Sequence, residues 1–371
     1  MTTAFYWDEQ TFWHHGGQYA LTLPAGGLVQ PGAGLPESPE TKRRFLNLLR
    51  VSGLAEKLAM QSAAAATRKE LERVHPPAYL DRFRALSDAG GGEIGLRAPF
   101  GQGSFEIAAL SAGLALDAVR AVLDGRAPNA YALTRPPGHH CLPDQPMGFC
   151  LLANAAIAVE GVLAEGRAAR IAVVDWDVHH GNGTEAIFYA RPDVLTISLH
   201  QERNFPLDTG AASARGEGPG RGANLNVPLP PGTGHSGFLA AWDRFVGPAL
   251  QAFGPDVIVV ACGFDASAFD PLSRTMATAE TFRALTLRAR GAAEALCGGK
   301  LVLVHEGGYS EAHVPFCGHA TIEALTDTPP TDPCAAPDPM AATLDARQPG
   351  PHFDAMLSSW FDTVEAELHA D

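Results

Sequence analysis

The chain has 371 residues, a formal net charge of −14 and 46% hydrophobic side chains. The excess of acid argues against sequence-independent binding to nucleic acid or anionic membrane, while the apolar share is enough for one large α/β core. Six scattered cysteines without a CxxC pair read as reduced thiols; with no leader-like N-terminus and no apolar run of spanning length, the expected location is the cytoplasm.

Residues 1–40 open with the apolar-aromatic run Ala4-Phe-Tyr-Trp7 and continue into a Gly/Pro-rich stretch over 16–39, read as an arm or lid. Helical spacing follows over 40–58 and 67–86, the second interrupted where Pro76-Pro77 must begin a new helix or turn. Gly90-Gly91-Gly92 reads as a flexible loop. Residues 105–124 form an amphipathic helix with Ile107, Leu110, Leu114 and Val122 on one stripe and Gly125 as its stop. Strand and helix patterns then alternate. Strands are expected over 131–135, 171–175, 194–199, 256–261 and 301–304. Helices are expected over 154–166, 184–190, 238–253 and 278–297. This alternation predicts a parallel sheet with helices on both faces. The whole chain, 1–371, reads as one domain, with an arm over 1–40 and a Pro/Asp-rich tail over 327–371 whose last helix, 353–369, docks on the body.

Each of these strands runs into reactive-looking residues: Arg135-Pro-Pro-Gly-His-His140, Asp175-Trp-Asp-Val-His-His-Gly-Asn-Gly183, Ser198-Leu-His200, Gly263-Phe-Asp265 and Glu306-Gly-Gly-Tyr309. In a parallel sheet these ends share one edge, where open α/β sheets bind ligands. Asp177 and His179, two apart, point to one side of an extended chain. With Asp265 they offer two carboxylates and an imidazole, a donor set for zinc that leaves a position open for water or a carbonyl oxygen. A second metal would need a further carboxylate, and position 267 is Ser, so one metal is expected. Taken singly, Asp265 also reads as a cap, His139 and His140 as loop histidines, and Tyr309 as a surface tyrosine. Phe149, Phe205, Cys150 and Cys262 also read as core. Taken together, His139 and His140 supply an imidazole base, and Asp175 and Asn182 are candidate orienting acceptors. Tyr309 supplies a neutral donor for an oxyanion, with Gly307-Gly308 letting backbone approach. Asn182 carries no charge, so its imidazole should protonate less readily than one paired with an aspartate.

With Met147-Gly-Phe-Cys150, Asn226-Val-Pro-Leu229, Ala266-Ser267 and Asp270-Pro271, these segments resemble the zinc-dependent histone deacetylase family over roughly residues 38–325. Within it the likeness is to class II and to the bacterial histone-deacetylase-like and acetylpolyamine amidohydrolases. The resemblance implies the arginase–deacetylase α/β fold, a central eight-stranded parallel sheet with helices on both faces. It implies a zinc-dependent deacetylase, a hydrolase of linear amide C–N bonds that removes acetyl or related acyl groups from acyl-lysine-like amines. Asp177, His179 and Asp265 become the zinc ligands. His140 becomes general base and acid, with His139 as electrostatic partner, and Asp175 and Asn182 orient the pair. Tyr309 polarises the carbonyl. Gly148 meets substrate through its backbone, Phe149 and Phe205 wall an acyl-lysine tunnel, and Leu272 and Gly308 complete the substrate contacts. A structural potassium ion is implied at Asp175, Ser198 and the carbonyls of Asp177, His179 and Leu199.

Three departures from the family pattern matter. Asn182 stands where class I carries Asp. The 16–39 arm is longer than in many members, and a homo-oligomer is expected. Leu272 stands where polyamine-specific members carry an acid, which favours an acylated lysine peptide or protein over a small acylated polyamine. Alternative readings are an acetylpolyamine deacetylase, a dimanganese ureohydrolase, disfavoured by Ser267, and a silent acyl-lysine binding module, disfavoured by the intact Tyr309 and His140.

Overall fold

Eight strands form one all-parallel sheet in a computed structural model that describes residues 2–30, 32 and 34–369. Met1, Pro31, Ala33, Ala370 and Asp371, which fall in the expected arm and tail, lie outside the described residues. The strands are β1 Ala4–Tyr6, β2 Ala59–Gln61, β3 Asn129–Ala132, β4 Ile171–Asp175, β5 Val194–Gln201, β6 Asn224–Leu229, β7 Val257–Cys262 and β8 Leu301–His305. Their order across the sheet is β6-β5-β4-β7-β8-β3-β1-β2.

The sheet is covered on both faces because its strands are apolar on both. In β4, Ala172 and Val174 join one hydrophobic cluster and Ile171 and Val173 the other. β7 repeats this alternation with Ile258 and Val260 against Val257 and Val259, as the two-residue period of a strand requires. One layer holds the helices Pro39–Val51, Ala279–Cys297, Val314–Leu325 and Pro351–His369, and the other holds Ser104–Leu123 and Asn154–Ala164. β4 and β7 pair at the centre, Asp175 opposite Ala261. From that pair the chain winds outward in both directions, a switch point that opens a crevice at the carboxyl ends of the strands.

Several elements differ from expectation. Ala4–Tyr6, read with the arm, is an inner strand between β3 and β2, because Phe5 packs into one face and Ala4 and Tyr6 into the other. β6 carries Pro228 and two asparagines, which mask its strand signal. Pairing with β6 extends β5 two residues past the expected end to Gln201, so His200 also lies inside the strand. Gly91–Glu93 is no flexible loop: it pairs with Pro99–Gly101 through backbone bonds that need no side-chain pattern. The helix expected over 238–253 begins at His235 and passes through a π-helical turn, Trp242–Val246. The C-terminal helix docks through Leu357, Phe361, Val364 and Leu368. No described helix is long and apolar enough to cross a membrane.

Candidate active site

Asp177 and His179 leave β4 and Asp265 leaves β7, so adjacent strands at the switch point deliver all three. Their ligand atoms lie within 4.8 Å of one another. His179 Nδ1 is 3.1 Å from Asp177 Oδ1 and 2.9 Å from Asp265 Oδ2. The chain between them is bent, not extended as expected. Asp175 Oδ1 accepts from Asp177 N at 2.9 Å and Asp177 Oδ1 from His179 N at 2.9 Å. These successive Asx-type turns, rather than strand alternation, bring the side chains together. The other oxygens are held by backbone: Gly307 N donates to Asp177 Oδ2 at 2.8 Å and Val178 N to Asp265 Oδ1 at 2.8 Å. Any Cβ at position 307 would collide with both carboxylates. Both acids are fully buried, and among the described residues no Lys or Arg pairs with either. Burial and then the neighbouring Asp177 push Asp265 up to about 7. Two buried acids facing one imidazole, with no Lys or Arg partner among the described residues, fit a divalent cation such as zinc.

His139 and His140 follow β3 with ring centroids 4.0 Å apart. His139 Nδ1 lies 2.9 Å from Asp175 Oδ2, and His140 Nδ1 lies 2.8 Å from Asn182 Oδ1. Burial opposes charge on His139, but Asp177 and Asp175 outweigh it and hold its pKa well above the usual imidazole range. Burial, reinforced by His139 and His179, drives His140 well below that range. The neighbours are therefore pushed in opposite directions, His139 towards the charged form and His140 towards the neutral one. Donation of Nδ1–H to Asn182 leaves His140 Nε2 as a proton acceptor.

A pocket of about 100 Å³ opens above these groups, bounded by His140, His179 and Tyr309 with Gly148, Phe149 and Phe205. Leu272, Asn204, Arg97 and Thr22 of the arm complete the lining, and among the described residues that line it none is a carboxylate. Gly148 has φ +53°, and a Cβ there would run into the His140 and Phe205 rings, so only bare backbone fits. The Phe149 ring meets Tyr309 edge-on at 5.7 Å. Burial, then Asp265 and Asp177, raise the Tyr309 phenol well above its usual range, so it keeps its proton. Gly308 backs onto Phe264 and Val314 and does not line the pocket. Asp175 and Ser198 are opposite each other on β4 and β5, which puts Ser198 and Leu199 beside the Asp177–His179 bend.

Two further carboxylates support the site. Glu306, fully buried, accepts from Gly138 N at 2.6 Å and His139 N at 3.1 Å, so it holds the turn that aims both histidines. Asp270 Oδ2 accepts from Tyr309 N at 2.8 Å. Both lie within noted motifs, but spacing does not tell which way a buried carboxylate turns.

Residues 35–325 match the histone deacetylase domain. The chain is 57% identical over 353 residues to a histone deacetylase-like amidohydrolase of Pseudomonas aeruginosa, spanning 95% of this chain and 92% of the relative. It is 40% identical to histone deacetylase 8 of Arabidopsis thaliana, over 79% of each chain. It is 38% identical to a probable deacetylase of Archaeoglobus fulgidus, over 78% of this chain and 82% of the relative. A crystal structure of the HDA15 HD domain superposes with a TM-score of 0.78 at 34% identity, covering 87% of this chain and 90% of that one. The eight-stranded parallel sheet is thus the arginase–deacetylase fold. The family implies a zinc ion, which the Asp177–His179–Asp265 set fits. The chain belongs to the histone deacetylase family, as a deacetylase or amidohydrolase.

Proposed function

We propose that the protein is a zinc-dependent deacetylase that hydrolyses acetyl or related acyl groups from acyl-lysine-like amines. One observation carries the reading: a neutral, Asn182-bound His140 and a buried Tyr309 phenol share one narrow aromatic-walled pocket with His179 of the metal set. Zinc held by Asp177, His179 and Asp265 supplies Lewis acidity for the amide carbonyl and for water. His140 Nε2 accepts the proton of the attacking water and returns it to the leaving amine. His139, kept charged by Asp177 and Asp175, disfavours premature protonation of His140 and steadies negative charge. Tyr309 donates to the carbonyl oxygen. The Gly148 backbone and the Phe149 and Phe205 rings hold the uncharged alkyl stem, and Gly308 leaves backbone room for Tyr309. A potassium ion at Asp175, Ser198, Leu199 and the carbonyls of Asp177 and His179 is part of this reading, as are a cytoplasmic location and a homo-oligomer.

Elemental analysis with a turnover assay on an acetyl-lysine peptide tests the proposal. The expected result is one zinc per chain, activity lost to a chelator and restored by zinc. Two ions per chain would favour the ureohydrolase reading, and full zinc without turnover of any acylated amine would favour a silent binding module. The acetylpolyamine reading is separable. An acetylated polyamine brings a secondary ammonium into a pocket whose described lining has no acid and includes the apolar Leu272, and an unpartnered buried cation is costly. Acetyl-lysine peptide should therefore exceed acetylspermidine in kcat/KM. Leu272→Glu should move that ratio towards the polyamine by about 1–3 kcal/mol, one charged contact. A wild-type preference for acetylspermidine, or an unmoved ratio, removes Leu272 as the selector.

A further inference from the structure

Ser267 lies two residues beyond Asp265, and its hydroxyl is engaged elsewhere. Ser267 Oγ is 2.6 Å from His313 Nδ1, and His313 Nε2 is 2.9 Å from Asp338 Oδ2. Ser267 and His313 are each 1% exposed, and the Asp338 side chain 6%. Ser267 Oγ also accepts from Phe269 N at 3.2 Å. The Asp338 carboxylate only accepts, so a neutral His313 donates to it from Nε2. Its Nδ1, which Cys317 Sγ also approaches at 3.4 Å, then accepts from Ser267 Oγ. Asp338 is itself anchored, its Oδ1 accepting from Met340 N at 2.9 Å. The three residues come from three separate segments: the loop after β7, the loop after β8, and the C-terminal tail.

A serine, a histidine and an aspartate in a row suggest a nucleophilic triad, but burial excludes one. Ser267 is sealed from solvent and outside the substrate pocket, so no substrate reaches its hydroxyl. It does control the loop 263–270. Asp265 lies at one end of that loop and Asp270 at the other, with Asp270 N donating to Ser267 O at 2.9 Å. Asp270 in turn holds the Tyr309 N–H. Fixing Ser267 therefore fixes both a metal-holding carboxylate and the backbone of the oxyanion donor.

We propose that Asp338 and His313 are positioning residues: the C-terminal tail completes the active site by holding, through Ser267, the loop that sets Asp265 and Tyr309. The effect on turnover rests on the deacetylase reading, whereas the effect on metal affinity needs no substrate. Phe149 and Phe205 belong to other segments, whereas Leu272 N donates to Asp270 Oδ1 at 2.9 Å, so kcat should change more than KM.

The test uses the full chain and reads zinc affinity by chelator competition, kcat and KM on an acetyl-lysine peptide, and Tm. Asp338→Ala is expected to weaken zinc binding and lower kcat by about 10-fold each, the low end for groups that orient metal ligands, with a smaller change in KM. Asp338→Asn keeps an acceptor oxygen for His313 and should restore both. Ser267→Ala cuts the same chain at its other end with the loss of one oxygen. The double variant should be no worse than Ser267→Ala alone, because linked residues are non-additive. Asp332→Ala is the control: this tail carboxylate pairs with Lys57 at 2.6 Å, and its loss should leave zinc affinity and kcat unchanged. The proposal is overturned by wild-type affinity and kcat in Asp338→Ala, by Asp332→Ala reproducing its effects, or by losses that multiply in the double variant. Weakened zinc in Asp338→Ala alongside a wild type that turns over no acylated amine supports the positioning role and sinks the deacetylase reading. If Asp338→Ala does not fold, Ser267→Ala decides alone, and unchanged zinc affinity there overturns the proposal.

Discussion

Glu37, Lys42 and Arg135 on one side, and Asp177, His179 and Asp265 on the other, are all buried, yet only the first group is closed on itself. Glu37 Oε1 lies 3.0 Å from Lys42 Nζ and 3.0 Å from Arg135 Nε. Arg135 also donates to the Thr11 carbonyl at 3.1 Å and the His14 carbonyl at 2.8 Å. Burial opposes the charge on Glu37, but Arg135 and Lys42 outweigh it and hold that carboxyl well below the usual range. The other group has two acids, one imidazole and no Lys or Arg partner among the described residues. Buried charge alone therefore does not mark a functional site. What separates the two is whether the acids are compensated by lysine and arginine or only by imidazoles, which can give way to a metal.

Changing one acid in each cluster should break that comparison most visibly. In the open cluster, Asp177→Asn or Asp265→Asn should abolish stoichiometric zinc and with it turnover. The Tm of the metal-free protein should not fall in Asp265→Asn, because burial and Asp177 already push that carboxyl up to about 7. It should fall in Asp177→Asn, where His139 loses a carboxylate 3.7 Å away. Full zinc in both variants, by elemental analysis, would sink the ligand assignment. In the closed cluster, Glu37→Ala strands two buried cations, and removing one partner of a buried pair costs about 3–5 kcal/mol. Denaturant unfolding should show that loss in full. A loss below about 1 kcal/mol, ordinary for an exposed pair, would mean that the carbonyls around Arg135 suffice and the cluster is not closed by Glu37.

Tyr309→Phe sharpens the contrast from the side of function. It removes one oxygen and no charge, so fold and zinc should be retained. Loss of an oxyanion donor costs about 2.7–4 kcal/mol in barrier, roughly 10²–10³ in kcat. Near-normal kcat would take the phenol out of the mechanism.

The open cluster was legible in sequence and the closed one was not, for a physical reason. Asp177, His179, Asp265, His140 and Tyr309 each follow a run of apolar strand residues, and strand ends in a parallel sheet must converge. Nothing comparable links Glu37 to Arg135. They are 98 positions apart, and an ion pair imposes no periodicity on the chain between its partners. The same limit hid the Asp338–His313–Ser267 chain. The long central strands, β4, β7 and β8, fall within a residue of where apolar runs place them. The strands not expected are β1, whose short apolar run reads with the arm, β2, of three residues, and β6, with its proline. The convergence of Asp177 and His179 follows from sequence, but its cause does not: side-chain-to-backbone turns bend a chain that two-residue spacing would keep straight.

The smallest expected effect reaches the closed cluster through pH. His14 is buried, with Nδ1 3.0 Å from Ser104 Oγ. Burial first, then Arg135, lower its pKa to about 3, with His15 and Lys42 adding to the effect and Glu37 opposing it. In the unfolded chain an imidazole titrates near 6.5. The folded value is the depressed one, so the fold favours neutral His14. Its stabilisation is complete above about pH 6.5 and is lost as pH falls from there towards about 3, because the unfolded chain binds the proton first. At pH 5 this one site should cost about 2 kcal/mol. His14→Gln binds no proton in either state. Between pH 7 and pH 5 the wild type should therefore lose about 2 kcal/mol more unfolding free energy than the variant. Other buried imidazoles, such as His75 at about 4, titrate in both proteins and cancel in the difference. Parallel pH curves for the two proteins would show that a third cation beside Arg135 and Lys42 is tolerated, and the cluster would then have spare capacity for charge, as the metal pocket does.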